Sequence, residues 1–91
     1  MDKKRNRLEI INDILRVISE RSGRIKPTHI LYKSNLSHQM MEEYLAELIK
    51  KGLIKEIAKE RSKTFTITLR GQEYLNQFSV IRDFASSFGL D

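Results

Sequence analysis

The stretch from residue 34 to residue 54 of this 91-residue chain constrains the fold more than any other. Asn35 tolerates the left-handed conformation of a tight turn, and the Ser37 side chain can accept a hydrogen bond from a free backbone N–H at a helix start. Apolar residues then recur at helical spacing, at Met41, Tyr44, Leu45, Leu48 and Ile49. Gly52 can take the positive φ that ends a helix. The stretch therefore predicts a helix over residues 37–51 that is entered through a short polar turn.

Two further helices are predicted before this one. Residues 6–21 form the first, because apolar residues repeat at helical spacing at Leu8, Ile11, Leu15 and Ile18. Residues 24–26 are extended, since the residue before a proline is pushed out of the α region, and they can add a minor strand to a sheet. Pro27 suits the first turn of a helix, which predicts a short helix over residues 28–32. The polar turn at residues 33–35 follows.

The pattern after the long helix changes from a period of 3.6 to a period of two. Residues 64–69 alternate between threonine and apolar residues, as expected of a half-exposed strand. The side chains predicted to point inward are Phe65, Ile67 and Leu69. Residues 53–59 are the partner strand, although they alternate less cleanly. The connecting residues 59–63 lack the Asn-Gly signal of a two-residue turn and predict a longer, mobile and basic hairpin tip.

The last helix is predicted to start beside Thr68 and to stop at Gly89. Its apolar residues are spaced like the seam of a short coiled coil, at Tyr74, Phe78, Ile81, Ala85 and Phe88. Leu75 and Phe84 flank this seam and can face the domain's own core. An uncovered seam would leave a large apolar patch in water, so we expect it to pair with a second copy of the chain. The alternative is that the helix packs on the first helix within the monomer.

Several classes of protein do not fit this chain. It has no cysteine, which excludes thiolate catalysis and disulfides and fits a reducing cytoplasm. His29 and His38 have no carboxylate at metal-ligand spacing, and no serine lies in a nucleophile motif. No apolar run reaches the roughly 18 residues that span a bilayer. We expect a cytoplasmic protein without catalysis, cofactor or metal, and without a membrane anchor.

Charge is unevenly distributed along the chain, whose net charge is +5. Residues 1–70 hold 16 Lys and Arg against 9 Asp and Glu, whereas residues 71–91 hold one Arg against three acids. The basic part therefore suits a polyanionic partner. The alternative is that these cations serve only solubility.

The predicted order of helix, short strand, helix, turn, helix, hairpin and helix is that of a winged helix-turn-helix. Two segments carry a resemblance to a known family, THILYKSNLSHQMMEEYLAELIKKGLI and TFTITLRGQEYL, which together cover roughly residues 28–75. They resemble the small archaeal winged-helix DNA-binding proteins and transcriptional regulators. The resemblance implies duplex DNA as ligand, a homodimer joined through the C-terminal helices, and a role in regulation or chromatin organisation.

The expected fold is an α+β winged helix-turn-helix whose C-terminal helix forms a short dimerising coiled coil. Residues 1–70 are expected to form the DNA-binding domain and residues 70–89 the dimerisation helix, within a single compact unit. The DNA-binding domain comprises a basic arm at residues 1–7, a recognition helix at residues 37–51 and a wing at residues 53–69.

Candidate DNA contacts follow from this geometry, in which the start of the second helix of the motif enters the major groove. The side chains that lie off its apolar stripe are Ser37, His38, Gln39 and Glu43. Gln39 can form paired hydrogen bonds with adenine. Three residues of the turn, Lys33, Ser34 and Asn35, are expected to meet phosphates. The basic wing residues Lys59, Arg61 and Lys63 and a disordered arm with Lys3, Lys4, Arg5 and Arg7 are expected to reach phosphates or a minor groove.

The recognition helix itself is acidic. Residues 37–51 hold two lysines against three glutamates, which are Glu42, Glu43 and Glu47. Either these glutamates turn away from the groove or the flanking cations supply most of the affinity, and we favour the second interpretation. The acidic helix also supports an alternative function, since a winged helix can serve as a protein-docking module without binding DNA.

Overall fold

The structure is a computed structural model that describes residues 5–21 and 24–90. Lys3 and Lys4 of the predicted arm lie outside the described residues. The elements, in chain order, are α1 (Arg7–Glu20), α2 (Pro27–Ser34), α3 (His38–Lys50), β1 (Ile54–Lys59), β2 (Ser62–Ile67) and α4 (Leu69–Ser87). Their order is the one that the sequence predicts for a winged helix-turn-helix.

Side chains cap the starts of three helices. Asn6 accepts a hydrogen bond from the Glu9 N–H at 2.9 Å, and the Glu9 carboxylate accepts one from the Asn6 N–H at 3.0 Å. Ser37 caps α3, as predicted. The Thr68 hydroxyl accepts from the Gly71 N–H at 3.1 Å and donates to the Gly52 carbonyl at 2.7 Å. Thr68 thus caps α4 and ties its start to the exit of α3.

The turn of the helix-turn-helix lies two residues later than predicted. α2 continues to Ser34, and Asn35 ends it in the left-handed conformation with a φ of 53°. The turn therefore consists of residues 35–37. Gly52 has a φ of 77°, as expected of the residue that follows the C-cap of α3.

β1 and β2 form an antiparallel hairpin in which Lys59 pairs with Ser62. The prediction of a longer tip is wrong, since only Glu60 and Arg61 connect the strands. Glu60 makes the short turn possible by adopting a φ of 48°, and the Ser62 hydroxyl donates to the Lys59 carbonyl at 3.2 Å. The predicted minor strand is present as a single bridge between Ile25 and Phe65.

The core lies between the first three helices and the hairpin. Ile14, Leu15 and Ile18 of α1 and Ile30 of α2 are fully buried, and Phe65 is 2% exposed. Leu69 was predicted to point inward, but it is 80% exposed. The physical reason is that β2 ends at Ile67, so Leu69 belongs to the first turn of α4.

α4 has two halves with different surroundings. In the first half, Leu75 packs against the core and the Tyr74 hydroxyl donates to the Leu8 carbonyl at 3.0 Å. This half packs on α1 within the monomer, so Tyr74 does not belong to an open seam. In the second half Ile81, Phe84 and Phe88 are exposed, which corrects the expectation that Phe84 faces the core. None of the described helices has the length and apolarity needed to cross a bilayer.

Gly71 gives a direct test of the junction between α3 and α4. A methyl group added there would overlap the Leu53 carbonyl and would lie 2.7 Å from the Ile67 side chain. We expect Gly71→Ala to lower the free energy of unfolding by about 2–3 kcal/mol, because neither backbone nor core can shift freely. Urea denaturation measures the change, and Asn76→Ala on the exposed side of α4 is the control. Equal stability of both variants would contradict the close approach.

Candidate nucleic-acid interface

The outward face of α3 is polar and does not pack against the core. Met41, Leu45 and Leu48 are buried, and at about 100° per residue the opposite side of the helix carries Gln39, Glu43, Ala46 and Lys50. All four are exposed. Lys50 was not among the predicted contacts, although its position seven residues after Glu43 places it on the same face.

Two of the three glutamates on α3 lie beside basic groups. The Glu47 carboxylate forms an ion pair with Arg7, whose guanidinium also lies 5.6 Å from the centre of the Tyr44 ring. The hydrogen bond to Glu47, reinforced by its charge, raises the pKa of Arg7. Glu42 lies 3.8 Å from His38, one turn earlier on α3, and protonation of that imidazole would complete an ion pair. Glu43 forms no ion pair within the described parts of the chain.

Arg5 and Arg7 do not belong to a disordered arm, which corrects the sequence-based interpretation. The Arg5 guanidinium donates to the Asp13 carboxylate at 2.7 Å, to the Ser34 carbonyl at 2.8 Å and to the Asn35 carbonyl at 3.3 Å. The free carbonyl groups at the end of α2 attract such a cation. Both arginines therefore form contacts with the helix-turn-helix.

The prediction that Ser34 contacts phosphate is wrong, because this residue is buried. It is 1% exposed, so its hydroxyl cannot reach a bound duplex. Its neighbours Lys33 and Asn35 are exposed, as are Ser37, His38 and Gln39 at the start of α3. These five side chains remain available to a ligand.

The hairpin places its basic residues at and near its tip. Arg61 lies in the two-residue turn, and Lys59 and Lys63 are exposed on the strands beside it. The Lys63 ammonium group lies 3.7 Å from the Glu56 carboxylate, so part of its charge is compensated. Lys63 lines the same groove as Pro27 and His38. The hairpin and the starts of α2 and α3 therefore border one side of the molecule.

A cluster of cations at the start of α2 was not identified from the sequence. Arg21, Arg24 and Lys26 line one cleft together with Ile25, Thr28 and His29, and no acid among residues 5–21 and 24–90 lines it. No side chain in the described part of the chain caps α2, so the positive end of this helix adds to the electrostatic field of the cluster. Burial, followed by the charges of Arg21 and Lys33, lowers the pKa of His29. The signal in the sequence was three cations within the six residues that directly precede Pro27.

A helix-turn-helix with an accessible second helix, followed by a basic hairpin on the same side, defines the winged-helix class. The sequence profile of the winged helix-turn-helix family matches residues 4–86. The chain belongs to this family. No curated protein sequence matches it.

Solved structures share the fold. Sso10a-2, a DNA-binding protein from Sulfolobus solfataricus, is 25% identical with a TM-score of 0.77, over 93% of this chain and 90% of that one. AF1382 from Archaeoglobus fulgidus is 16% identical with a TM-score of 0.71, over 87% and 89% of the two chains. MepR, a transcription regulator of the Staphylococcus aureus multidrug efflux pump MepA, is 18% identical with a TM-score of 0.75, over 87% of this chain and 60% of MepR.

The structural role of Arg5 can be tested through stability. We expect Arg5→Met to lower the free energy of unfolding by about 1–2 kcal/mol, because the Ser34 carbonyl loses a donor and Asp13 loses its charge partner. Chemical denaturation of this variant is compared with that of Arg70→Met, which removes an exposed arginine from α4. If both variants are as stable as the parent, the contacts of Arg5 do not stabilise the fold, and Arg5 then belongs to a free basic arm.

Proposed function

We propose that this protein binds double-stranded DNA as a homodimer and acts as a transcriptional regulator or a chromatin-architectural protein. One observation carries the proposal: the exposed start of α3 shares a groove with Pro27 of α2 and Lys63 of the hairpin, and further exposed cations lie at the hairpin tip and directly before Pro27. The shared fold with the DNA-binding protein Sso10a-2 and with the transcription regulator MepR supports it. In this proposal the protein acts in the cytoplasm, requires no cofactor and catalyses no reaction.

α3 enters the major groove in this proposal. Gln39 reads adenine through paired hydrogen bonds, Glu43 accepts a hydrogen bond from cytosine, and Lys50 reaches guanine or a phosphate. Ser37 and His38 lie at the start of the helix, where such contacts begin. The pairing of Glu47 with Arg7 supports this arrangement, because it reduces the repulsion between α3 and phosphates. Base readout is confined to these few side chains.

Most of the affinity comes from phosphates beside α3. The hairpin contributes Lys59, Arg61 and Lys63. The cluster of Arg21, Arg24 and Lys26 adjoins the hairpin, because Ile25 pairs with Phe65, and it extends this footprint. Lys33 and Asn35 set the register. Lys3 and Lys4 add to the positive field. Residues 1–70 form the DNA-binding domain and residues 70–89 the dimerisation helix.

The apolar side of the second half of α4 supports a homodimer. Ile81, Phe84 and Phe88 follow each other at spacings of three and four residues, and the Phe84 and Phe88 rings are 5.1 Å apart. Each of these side chains is about two-thirds exposed. Phe78 and Ala85 border this stripe, whereas Tyr74 is occupied within the protomer. A second copy of the same helix covers such a stripe most simply.

A groove between α3 and the hairpin favours a second candidate function, protein docking. Its volume is about 450 Å³, and Met41, Leu45, Ile49 and Phe65 are among its lining residues. Glu42, Glu56, His38 and Lys63 line it as well. A helix with an apolar stripe can dock in a groove of this kind. DNA titrations separate the two functions.

The DNA test is a titration of a mixed-sequence duplex of about 30 base pairs at about 50 and 200 mM salt. We expect affinity to fall steeply with salt, at a slope near −0.9 per neutralised phosphate. The double variant Arg61→Ala, Lys63→Ala should bind about tenfold more weakly and reduce the slope by about two. Arg70→Ala, Arg82→Ala removes the same charge from α4 and should bind nearly as the parent does. Absence of binding even at the lower salt would move the assignment to protein docking.

The dimer test is a mass measurement by sedimentation equilibrium at micromolar concentration. The parent should have about twice the 10.7 kDa mass of the chain. Phe84→Glu should yield monomers, because a carboxylate buried in an apolar seam is strongly unfavourable. Ser86→Glu adds the same charge on another side of α4 and should remain dimeric. A monomeric parent would refute the homodimer.

A further inference from the structure

A cavity of about 270 Å³ lies between α1 and α4, apart from the surfaces assigned above to DNA. It meets the stripe assigned to a second copy only at Phe78. Its lining residues are Asn12, Arg16, Leu75, Phe78, Ser79, Arg82 and Asp83. Tyr74 lies beside Leu8 at one end of the contact between these helices. At the other end Arg82 lines the same cavity as Arg16, so the two helices run in the same direction.

Asn12 is the unusual residue of this cavity. It is 3% exposed, and its amide nitrogen Nδ2 is buried without a hydrogen-bond partner in the described part of the chain. Buried polar groups are almost always paired, because an unpaired donor loses its water without gaining a bond. A leucine at this position would extend the apolar packing of α1 on α4. A buried amide on the cavity wall instead indicates a ligand that accepts its hydrogen bond.

We propose that this cavity binds a small carboxylate with a ring-sized apolar body. Arg16 and Arg82 supply two cations against the single acid Asp83, so the site favours an anion. Asn12 and the Ser79 hydroxyl supply neutral donors to the carboxylate. Leu75 and the half-buried Phe78 supply the apolar wall.

The site has an aromatic platform of its own. The Arg82 guanidinium lies 5.9 Å from the centre of the Phe78 ring, which holds the cation beside an apolar surface. A ring that lies along Phe78 would therefore bring its carboxylate towards the guanidinium. The volume is slightly below the usual range for drug-sized ligands, which suits a molecule of one ring.

The position of the cavity separates this proposal from the homodimer. At about 100° per residue, Leu75, Ser79, Arg82 and Asp83 lie on the side of α4 that faces away from the stripe of Ile81, Phe84 and Phe88, whereas Phe78 lies at the border of that stripe. A second copy on the stripe would approach the cavity only at Phe78. Ligand binding and dimerisation can thus fail independently, and neither requires DNA.

The test is an NMR titration of the full chain with benzoate, using benzamide as the uncharged isostere and acetate as the carboxylate without a ring. We expect benzoate to shift amide signals of α1 near Asn12 and of α4 near Ser79, with a Kd on the order of 1 mM. Benzamide and acetate should each bind at least about tenfold more weakly. No benzoate shifts at these residues up to about 10 mM, or equal binding of benzamide, would overturn the proposal.

Variants separate binding from folding. Asn12→Leu should melt no lower than the parent, because it removes the unpaired buried amide, and it should lose benzoate binding by at least about tenfold. Arg82→Gln should weaken benzoate by a similar factor, whereas Arg70→Gln, with the same charge change on the first turn of α4, should leave binding unchanged. If Asn12→Leu is folded and still binds benzoate as the parent does, the amide is not part of a site. If Asn12→Leu is unfolded, the comparison of Arg82→Gln with Arg70→Gln decides whether benzoate binds in this cavity: equal benzoate binding by these two variants would overturn the proposal.

Discussion

The structure depends on the burial of α1 on two sides at once. Ile14, Leu15 and Ile18 belong to the core, whereas Asn12 lines the cavity against α4, and all four are buried. Each fully buried Ile or Leu contributes about 1.5–3 kcal/mol, so this helix supplies a large part of the stability of a small domain. Because α1 contacts α2, α4 and β2, it fixes where the recognition helix lies relative to the C-terminal helix.

The start of α1 also adjusts the electrostatics of the recognition helix. Arg5 reaches the free carbonyl groups at the end of α2, and Arg7 reaches Glu47 on α3. Two cations that would serve a free arm as phosphate ligands instead hold the motif and compensate one of its acids. The acidic composition of α3 therefore overstates the repulsion that a phosphate would meet. Glu43 alone remains unpaired on the outward face, within the described residues, and a carboxylate there is compatible with readout of cytosine.

Local signals predicted most of the fold, whereas contacts distant in sequence did not. Apolar periodicity located the helices, and Asn35 and Gly52 located two of their ends, because backbone conformation there depends on the residue itself. The short hairpin tip was missed because Glu60 adopts a positive φ that its residue type does not favour. The roles of Arg5 and Ser34 were missed because both follow from the docking of α1 on α2. For the candidate residues at the start of α3 and on the wing, exposure could be predicted from the sequence because it follows from the local apolar pattern, and their contact with DNA stays a prediction.

The C-terminal helix combines three surfaces on one cylinder. Its first half is used by the core, where Tyr74 and Leu75 pack. Beyond Leu75, the apolar stripe through Phe84 is rotated around the helix axis by about a third of a turn from the face that packs on α1. The two need not coincide, because a seam spaced in threes and fours follows a different period from that face. A helix serving only the monomer would not carry two exposed phenylalanines, and a helix serving only a coiled coil would not line a cavity against a buried amide. The divergence of these surfaces on α4 is the physical reason for proposing both a partner and a ligand for this helix.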